Sequence, residues 1–368
     1  MLKYTSLYEL KYKTEKGWVE KCQLDKLLSC MYELPLSGIH GESLCIFFTQ
    51  DIQDGVNTIQ NQCKSISDIP YVNKEILLLN SVESATIEGA QTTVQEIKKV
   101  LKSNKSENKS HIMVSNILKG INYAFHSTEV FSKDGMLTLW NIVTTECCEN
   151  LSVQGNIYRK GKVYIGNESK TVHVPESPSK IPAKMNQLYD FISSTHNINA
   201  ILKSIIIHFY YVYIHPMCDG NGRTARILMQ AYLQHNHFAD INRTPVISEI
   251  RKNVSGYYKS LEQSMRAAII DGDKVMDITP FIAFMLDVLE SSILNFSLLN
   301  EKLSEKEKYL LSRMSFAGKG SEITSKKCSK MLHTSIPASR SILNSLSEKG
   351  ILEKRKDGST NIYRLSSW

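Results

Sequence analysis

Twelve consecutive residues near the middle of the chain bring together an imidazole, a carboxylate, a glycine-containing turn and two guanidinium groups. The stretch reads His215-Pro216-Met217-Cys218-Asp219-Gly220-Asn221-Gly222-Arg223-Thr224-Ala225-Arg226. Imidazole can take up a proton near neutral pH, a carboxylate can hold a hard cation, and guanidinium groups bind phosphate through paired hydrogen bonds. This combination of residue types points to chemistry on a phosphate group.

His215 and Asp219 are the two residues of this stretch that suit direct roles in catalysis. His215 can accept the proton of an attacking hydroxyl group, because its pKa lies near neutrality. Asp219 is a single hard oxygen ligand, which is enough for a Mg²⁺ ion whose other ligands are phosphate oxygens and water. We therefore predict His215 as the general base and Asp219 as the metal ligand.

The remaining polar groups of the stretch are suited to bind phosphate. The side chain of Asn221 and the N–H of Gly222 can contact phosphate oxygens, since glycine lets the backbone approach closely. Arg223 and Arg226 are three residues apart, on one face of a helix, so that both can hold a polyphosphate tail. All four residues are predicted to bind the phosphates of a substrate.

Two predicted helices must position these side chains. Apolar residues before His215 recur at helical spacing over a face too wide for a surface helix, so a buried helix is predicted, and Pro216 ends it. Residues 223–234 have the composition of a second helix, which leaves residues 220–222 as the loop at its N-terminus. Free N–H groups there form an anion site. The apolar residues of the first helix are Ile198, Ile201, Leu202, Ile205, Ile206, Phe209, Val212 and Tyr213.

Taken in pieces, the Asp-Gly-Asn-Gly segment could be an ordinary surface turn and the histidine a packed core residue. The whole stretch, however, matches the pattern H-P-x-x-D-G-N-G-R-x-x-R at all eight fixed positions. The chain thereby resembles the Fic family, whose members transfer AMP, or in a few cases other phosphate-containing groups, from a nucleotide to protein hydroxyls. The family usually has Phe where this chain has Met217, and both are apolar, so we interpret the exchange as tolerated packing.

A second resemblance lies in a helix predicted over residues 72–89. By itself, Glu88 would be an ordinary solvated glutamate at the unfavourable end of the helix dipole. The segment Ser84-Ala85-Thr86-Ile87-Glu88-Gly89 nevertheless matches the S/T-x-x-x-E-G/N motif of the inhibitory helix in Fic proteins. The resemblance implies that Ser84 and Glu88 are inhibitory residues. It also implies that Glu88 pairs with Arg226 and occupies the place of the nucleotide γ-phosphate.

Residues 157–185 contain short β-branched runs around glycine and asparagine. This pattern predicts a hairpin whose prolines keep its edge from further pairing, and a plain connecting loop is the alternative. In the Fic family a β-hairpin flap at this position aligns the backbone of the target protein by strand-type hydrogen bonds. The resemblance places the flap at about residues 168–179, with a protein substrate docked on it.

Beyond the motif, the pattern Asn-x-x-x-Tyr-Tyr-x-x-Leu begins a helix that is predicted to run from residue 253 to about 270. It resembles the family's segment near the adenine pocket, which implies that Asn253 and Tyr257 contact the base. The alternative is that these aromatic residues belong to the core, as apolar positions on helices usually do. A long apolar helix predicted over residues 277–299 ends the catalytic domain.

The composition bounds the class of protein. The chain has 368 residues, of which 42% are hydrophobic and 22% charged, as in a soluble globular protein of two or three domains. We find no run of eighteen apolar residues and no apolar core of a signal peptide, so no membrane contact and a cytoplasmic location are expected.

The net charge of +7 belongs entirely to residues 301–368, because the first 300 residues hold equal numbers of basic and acidic side chains. The predicted helices of this segment cover 305–316, 325–332 and 336–348, and its strands cover 351–354 and 361–365. This order resembles a winged helix-turn-helix, with Asp357-Gly358 as the turn of the wing. Its lysines and arginines suit phosphate contacts better than base reading, so weak DNA binding is one hypothesis and protein docking or dimerisation the other.

The sequence thus predicts a mainly α protein in three parts. They are an N-terminal helical region over 1–110 that includes the inhibitory helix, a Fic-type helical catalytic domain with a β-hairpin flap over 111–300, and a winged helix-turn-helix domain over 301–368. A homodimer is compatible with this organisation.

Three functional hypotheses follow. The resemblance implies a protein adenylyltransferase that uses ATP and Mg²⁺ to place AMP on a Ser, Thr or Tyr hydroxyl and is autoinhibited by Glu88. A second hypothesis reverses the reaction, with Glu88 assisting the removal of AMP, alone or in one bifunctional enzyme. The third is a DNA-binding regulator whose Fic domain senses nucleotide.

Overall fold

The computed structural model describes most of the chain. The described residues are 4–12, 18–64, 66, 70–103, 108–147, 158–167, 170–194, 197–301, 303–316, 322–349, 351–358 and 360–365. The helices of this part are α1 Leu7–Tyr12, α2 Trp18–Leu28, α3 Gln50–Cys63, α4 Pro70–Ile87, α5 Val94–Ser103, α6 Lys109–His126, α7 Lys133–Thr144, α8 Ile181–Ser193, α9 Ala200–Ile214, α10 Asn221–His235, α11 Val246–Lys252, α12 Val254–Ser264, α13 Thr279–Glu301, α14 Glu305–Phe316, α15 Ser325–Leu332 and α16 Ile336–Glu348. The strands are β1 Met31–Ser37, β2 Ser43–Phe47, β3 Ile165–Asn167, β4 Lys170–His173, β5 Ala267–Ile270, β6 Asp273–Asp277, β7 Glu322–Thr324, β8 Leu352–Asp357 and β9 Thr360–Leu365.

The main hydrophobic core surrounds the predicted motif helices. Ile201, Ile205 and Phe209 of α9 are fully buried, as the width of their apolar face predicts. Residues from α3, α4 and α6 belong to the same core as residues from α9, α10 and α13. The N-terminal region and the predicted catalytic domain therefore share one core, which holds both motif helices in place.

A four-stranded sheet joins the N-terminal region to the segment after the motif. Its strand order is β1-β2-β6-β5, in which β2 runs parallel to β6 and the other two pairs are antiparallel. An entirely helical N-terminal region was predicted, so β1 and β2 correct that prediction. Leu34 and Leu36 are buried and Pro35 between them is exposed, which is the two-residue period of an edge strand. The run is too short to stand out in the sequence.

The β5–β6 hairpin corrects the predicted extent of α12. That helix ends at Ser264, whereas the sequence predicted a helix to about residue 270. Asp271 and Gly272 link the two strands, and both have positive φ, at 52° and 96°. A tight hairpin turn of this kind requires positive φ at both positions, so the Asp-Gly pair was the available sequence signal.

Helix α13 is the one described helix whose length and composition would also suit a membrane span, within the window Thr279–Phe296. However, 72% of this window is buried inside the protein. Phe281, Met285 and Leu289 are completely buried in the main core. This is the packing of a core helix.

The described residues from 303 onward form a second hydrophobic core. Helices α14, α15 and α16 have the bounds predicted from the sequence, and β8 and β9 form the predicted hairpin. Strand β7, which pairs with β9, was not predicted, because three residues are too few to show an alternating pattern. Tyr363 of β9 is fully buried in this core, to which Leu310 and Leu343 also belong. Helix α14 also lies against α4 of the N-terminal region.

A short antiparallel hairpin, β3–β4, lies in the region predicted to hold the flap. Ile165 pairs with His173, and Asn167 pairs with Lys170. Residues 168 and 169 of the predicted flap are outside the described residues. In the part of the chain that is described, this hairpin is a separate two-stranded sheet.

Candidate active site

His215 ends the buried helix α9. Its backbone N–H donates a hydrogen bond to the carbonyl of Tyr211 at 3.0 Å, and its φ of 52° and ψ of 60° lie in the left-handed region. That conformation costs a non-glycine residue about 1 to 2 kcal/mol, which the packed helix before it must offset. The left-handed turn and Pro216 take the chain out of the helix at the position predicted from the sequence.

The imidazole of His215 is uncharged at neutral pH. Burial lowers the pKa of His215 to about 4, and the positive charge of Arg159 acts in the same direction. The Val212 carbonyl and Glu88 act against this shift. A neutral imidazole has a nitrogen lone pair that can take a proton, as the predicted general base must.

Asn221 braces the motif loop. Its Oδ1 accepts the N–H of Met217 at 3.0 Å, and its Nδ2 donates to the carbonyl of Met217 at 2.9 Å. The side chain is buried, and both of its polar groups are used by the loop. The sequence predicted a phosphate contact for Asn221, and in the structure the side chain supports the loop through Met217.

The Asp219 carboxylate is held by a buried arginine. Nη2 of Arg223 lies 3.1 Å from Oδ1 of Asp219, and the two side chains are 1% and 48% exposed. Nη1 of Arg223 also donates to the carbonyl of Val143 at 3.4 Å and to Sγ of Cys147 at 3.3 Å. Arg223 was predicted to grip phosphate, and in the structure it fixes Asp219 from the protein side.

Arg226 is bound by α4 through both residues that the inhibitory motif implied. Its Nη2 donates to Oε1 of Glu88 at 2.8 Å. Ser84 accepts two further hydrogen bonds from Arg226. Nε of Arg226 donates to Oγ of Ser84 at 2.9 Å, and Nη2 donates to the carbonyl of Ser84 at 3.0 Å. The Arg226 side chain is 1% exposed and that of Glu88 is 24% exposed. The structure thus contains the predicted pair of Glu88 with Arg226.

The end of α4 fixes the backbone of Glu88. The N–H of Ala90 donates to the carbonyl of Ala85, and the N–H of Gly89 donates to that of Thr86, both at 3.0 Å. Gly89 has a φ of 91°. These features are those of a Schellman cap, in which glycine takes the left-handed position. The predicted helix end is therefore correct, and it sets the carboxylate beside Arg226.

Gly222 leaves room for that carboxylate. A Cβ atom at this position would lie 2.4 Å from Oε1 of Glu88 and 3.2 Å from Nη1 of Arg226. Gly222 is in the first turn of α10, where backbone N–H groups favour anions. The same space can therefore receive a phosphate when Glu88 is absent from it.

A cavity of about 660 Å³ brings these groups together, a size typical of small-ligand sites. Its lining residues are Glu88, Ile165, His173, Val212, His215, Gly222, Arg226, Ser255, Tyr257, Tyr258, Lys259, Leu261, Glu262 and Met265. One wall comes from the end of α9 and the start of α10, one from α12 and one from the β3–β4 hairpin. General base, phosphate-binding groups and inhibitory carboxylate therefore face one space.

The wall of the cavity formed by α12 differs from the prediction at two residues, Asn253 and Tyr258. Asn253 caps α12, with its Oδ1 accepting the N–H of Gly256 at 3.1 Å, and it does not line the cavity. Asparagine is a preferred cap, and this role displaces the predicted contact with a base. Tyr257 does line the cavity and shares a hydrogen bond of 2.9 Å with His208. Tyr258, half exposed, lines it as well, although the sequence analysis gave it no role.

The central part of the chain matches a protein-family model. Residues 139–233 match the Fic/DOC family, and this segment includes the flap hairpin, α9, the motif loop and most of α10. This chain contains a Fic domain. The predicted catalytic base, metal ligand and both arginines lie within the Fic domain, whereas Ser84 and Glu88 come from α4, outside the matched residues.

Curated relatives of this Fic-domain protein are adenylyltransferases. Protein adenylyltransferase Fic of Drosophila willistoni is 25% identical over 237 residues, which cover 62% of this chain and 43% of the relative. The protein of the same description from Nematostella vectensis is 26% identical over 227 residues, or 60% of this chain and 48% of the relative. The chain spans less than half the length of these relatives.

Solved structures confirm the Fic fold. A Fic family protein from Desulfovibrio desulfuricans superposes with a TM-score of 0.59 at 21% identity, covering 87% of this chain and 97% of that one. Fic-1 from C. elegans gives a TM-score of 0.57 at 17% identity, covering 81% and 82%. The predicted mainly α fold around a Fic domain is therefore correct.

Proposed function

We propose that the protein transfers AMP from ATP to a hydroxyl side chain of a target protein, and that Glu88 restrains this reaction. The observation that carries the proposal is the one cavity in which an uncharged His215 lies with Gly222, Arg226 and Glu88. A single bound nucleotide can thus meet the base and the cation, provided that its phosphate displaces the carboxylate. The relatives described as protein adenylyltransferases support the same reaction.

The reaction is a displacement at the α-phosphorus. His215 takes the proton of the target hydroxyl while its oxygen forms a bond to that phosphorus. The bond from the α-phosphorus to the oxygen bridging to the β-phosphate breaks, and pyrophosphate leaves with the electron pair. Arg226 and the N–H groups at the start of α10 hold the phosphate oxygens and stabilise their charge.

Asp219 suits a Mg²⁺ ion. The described residues contain no cluster of three or more metal-ligating side chains, and the Asp219 carboxylate is about half exposed beside the motif loop. A single carboxylate fits Mg²⁺, which keeps several water ligands and usually shares the phosphates of its nucleotide. We propose that Asp219 holds the ion, which when bound neutralises charge on the phosphates of ATP.

The β3–β4 hairpin offers a place for the target. Ile165 and His173 of this hairpin line the same cavity as His215. Within the described residues no third strand joins the pair, so an outer edge can accept the main chain of another protein by β-augmentation. In our proposal, the target pairs with this edge and places its hydroxyl side chain next to His215.

The test of the proposed reaction uses the purified protein and its Glu88→Gly variant with Mg-ATP and cell extract. Peptide mass spectrometry should then find a Ser, Thr or Tyr that has gained one adenylyl group, together with released pyrophosphate. An ATP analogue with a methylene bridge between the α- and β-phosphates is the control and should give no adduct. Peptides that gain only a phosphate, or no adduct with either protein, would contradict the proposal.

We also propose that the C-terminal segment contacts the phosphate backbone of double-stranded DNA. Exposed basic side chains lie on two elements of its fold. They are Lys326, Lys327 and Lys330 on α15, and Lys354, Arg355 and Lys356 on β8. Small exposed residues at the start of α16, such as Ala338 and Ser341, allow close approach to a groove. Part of the charge is used internally, since Arg355 pairs with Glu322 at 3.0 Å.

DNA binding is expected to be weak, similar for unrelated sequences and steeply reduced by salt, because phosphate contacts release counterions. Fluorescence anisotropy of the full chain with two unrelated duplexes at low and physiological salt measures all three properties. Replacing Lys326, Lys327 and Lys330 together with glutamine should weaken binding. The matched control replaces the exposed Lys133, Lys160 and Lys162 of the predicted catalytic domain, also with glutamine. Sequence-specific binding at high salt would show base reading, and no binding at low salt would favour protein docking.

A further inference from the structure

One buried arginine ties the flap to the end of α9. Arg159 precedes β3 and is only 4% exposed, and its backbone N–H donates to the carbonyl of Pro216 at 3.0 Å. Its guanidinium donates to three carbonyl oxygens. They belong to His215, which accepts from Nε at 2.8 Å, to Gly161, which accepts from Nη1 at 2.7 Å, and to Glu176, which accepts from Nη2.

The three acceptors lie on both sides of the hairpin and on the catalytic loop. Gly161 precedes β3 and Glu176 follows β4, so Arg159 closes the base of the flap onto the carbonyl of His215. The last carbonyls of a helix lack intrahelical donors, and a cation is favourable there. A planar guanidinium presents five donors in fixed directions from three nitrogens, so it can reach three acceptors that lie apart.

A second contact, made by His173, also joins the flap to the end of α9. Nε2 of His173, the last residue of β4, lies 2.8 Å from the carbonyl of Tyr213 and must donate to it. The two rings are stacked, with their centroids 5.1 Å apart. The hairpin is thus fixed to the end of α9 at two successive points, the carbonyls of Tyr213 and His215.

We infer that Arg159 is a positioning residue for His215, which sets the base in register with the flap that receives the target. The contact itself is independent of the proposed AMP transfer, whereas its effect on rate depends on that proposal. His215 has a strained left-handed backbone, and the hydrogen bond to its carbonyl restricts how that strain can relax. Loss of the contact frees both the imidazole and the base of the flap.

Arg159 also acts on His215 through its charge. Burial is the main cause of the lowered pKa of His215. The Val212 carbonyl opposes this effect, Arg159 and His173 lower the pKa further, and Glu88 raises it. Removal of the Arg159 charge should therefore raise the pKa of His215 toward its ordinary value of 6.5. A lysine keeps the charge but carries its three donors on one nitrogen. It therefore cannot reproduce the contacts that Arg159 makes from Nε, Nη1 and Nη2, so the two effects can be separated.

The test compares Arg159→Gln and Arg159→Lys in the Glu88→Gly background. The matched control is Lys160→Gln, which removes the same charge from the exposed neighbouring side chain. Misplacement of a catalytic group costs up to about 100-fold, so we expect both Arg159 variants to lower kcat by about 10- to 100-fold with little change in the KM for ATP. Only Arg159→Gln should raise the pKa of His215, as followed by NMR of the imidazole ring. Lys160→Gln should change neither quantity.

The NMR titration does not depend on AMP transfer. If Glu88→Gly transfers no AMP, the proposed function fails, and the pKa of His215 still tests the contact with Arg159. An unchanged kcat together with an unchanged pKa in Arg159→Gln would overturn the inference. If that variant does not fold, by thermal unfolding, Arg159→Lys and His173→Phe replace it. His173→Phe keeps the ring stack and loses the donor to Tyr213, and a full transfer rate in both variants would also overturn the inference.

Discussion

Replacing His215 with alanine is expected to lower the rate of AMP transfer by about 10²- to 10⁴-fold while ATP affinity and the fold are retained. His215 removes a proton in the proposed reaction, whereas contacts to phosphate come from Arg226 and the start of α10. The measurement is the initial rate of incorporation of labelled AMP in the Glu88→Gly background. Calorimetric titration with ATP checks the affinity.

The matched control is His126→Ala, because His126 is an exposed histidine outside the cavity. That variant should transfer AMP at the rate of its parent. A near-normal rate in His215→Ala would exclude His215 as the base. Since the pKa of His215 is about 4, the parent rate should also stay level from neutral pH down to moderately acidic pH and fall only as the imidazole becomes protonated.

Replacing Glu88 with glycine is expected to raise AMP transfer by roughly 10- to 100-fold. The variant frees Arg226 for the γ-phosphate, and a hydrogen bond between charged groups is worth roughly 1.5 to 3 kcal/mol. The carboxylate is partly exposed at a helix end, so its removal leaves the core intact. Auto-modification with Mg-ATP, compared between wild type and variant, measures the effect.

Two further variants make this result specific. Thr86→Gly introduces the same flexible residue into the last turn of α4 without removing the carboxylate, and it should leave transfer at the wild-type level. Arg226→Ala should not mimic Glu88→Gly, because it removes the block and the phosphate contact together. Equal activity of wild type and Glu88→Gly would rule out autoinhibition. Faster loss of AMP from a pre-modified protein with wild type than with Glu88→Gly would instead support the hydrolytic role of Glu88.

The sequence predicted the helices of this protein better than its four-stranded sheet, because a helix is marked by a repeat of apolar residues within one segment. The bounds of α16 follow from an apolar period and from Pro337 in its first turn. The pairing of β2 with β6 joins Ser43 to Val275, and no short-range pattern marks such a partner. Strands of four to seven residues also give too few positions for alternation to be distinguished from chance.

In the candidate active site, the motif spacing correctly identified the residues that come together. It was less reliable for the contacts that each residue makes. Arg226 and Glu88 meet as the motifs implied, since each has one strong partner of opposite charge. Asn221 and Arg223 have side chains that can bind either a phosphate or a neighbouring group of the protein. Only the coordinates show that Asn221 binds the backbone of Met217 and that Arg223 binds the carboxylate of Asp219. Arg159 binds carbonyl oxygens, which every residue has, so no pattern of residue types marks its partners.

Two of the three hydrogen bonds between Arg226 and the inhibitory motif end on Ser84, one turn before Glu88. In the proposed mechanism a nucleotide phosphate replaces only the third hydrogen bond, so α4 would stay docked while the Glu88 carboxylate turns aside. Such a restraint divides the dissociation constant for ATP by the fraction of molecules in which the carboxylate is already displaced, so the apparent affinity falls. The restraint by Glu88 would therefore weaken as the ATP concentration rises. The rate of AMP transfer would then follow the ATP concentration, and no partner protein would be needed to release Arg226.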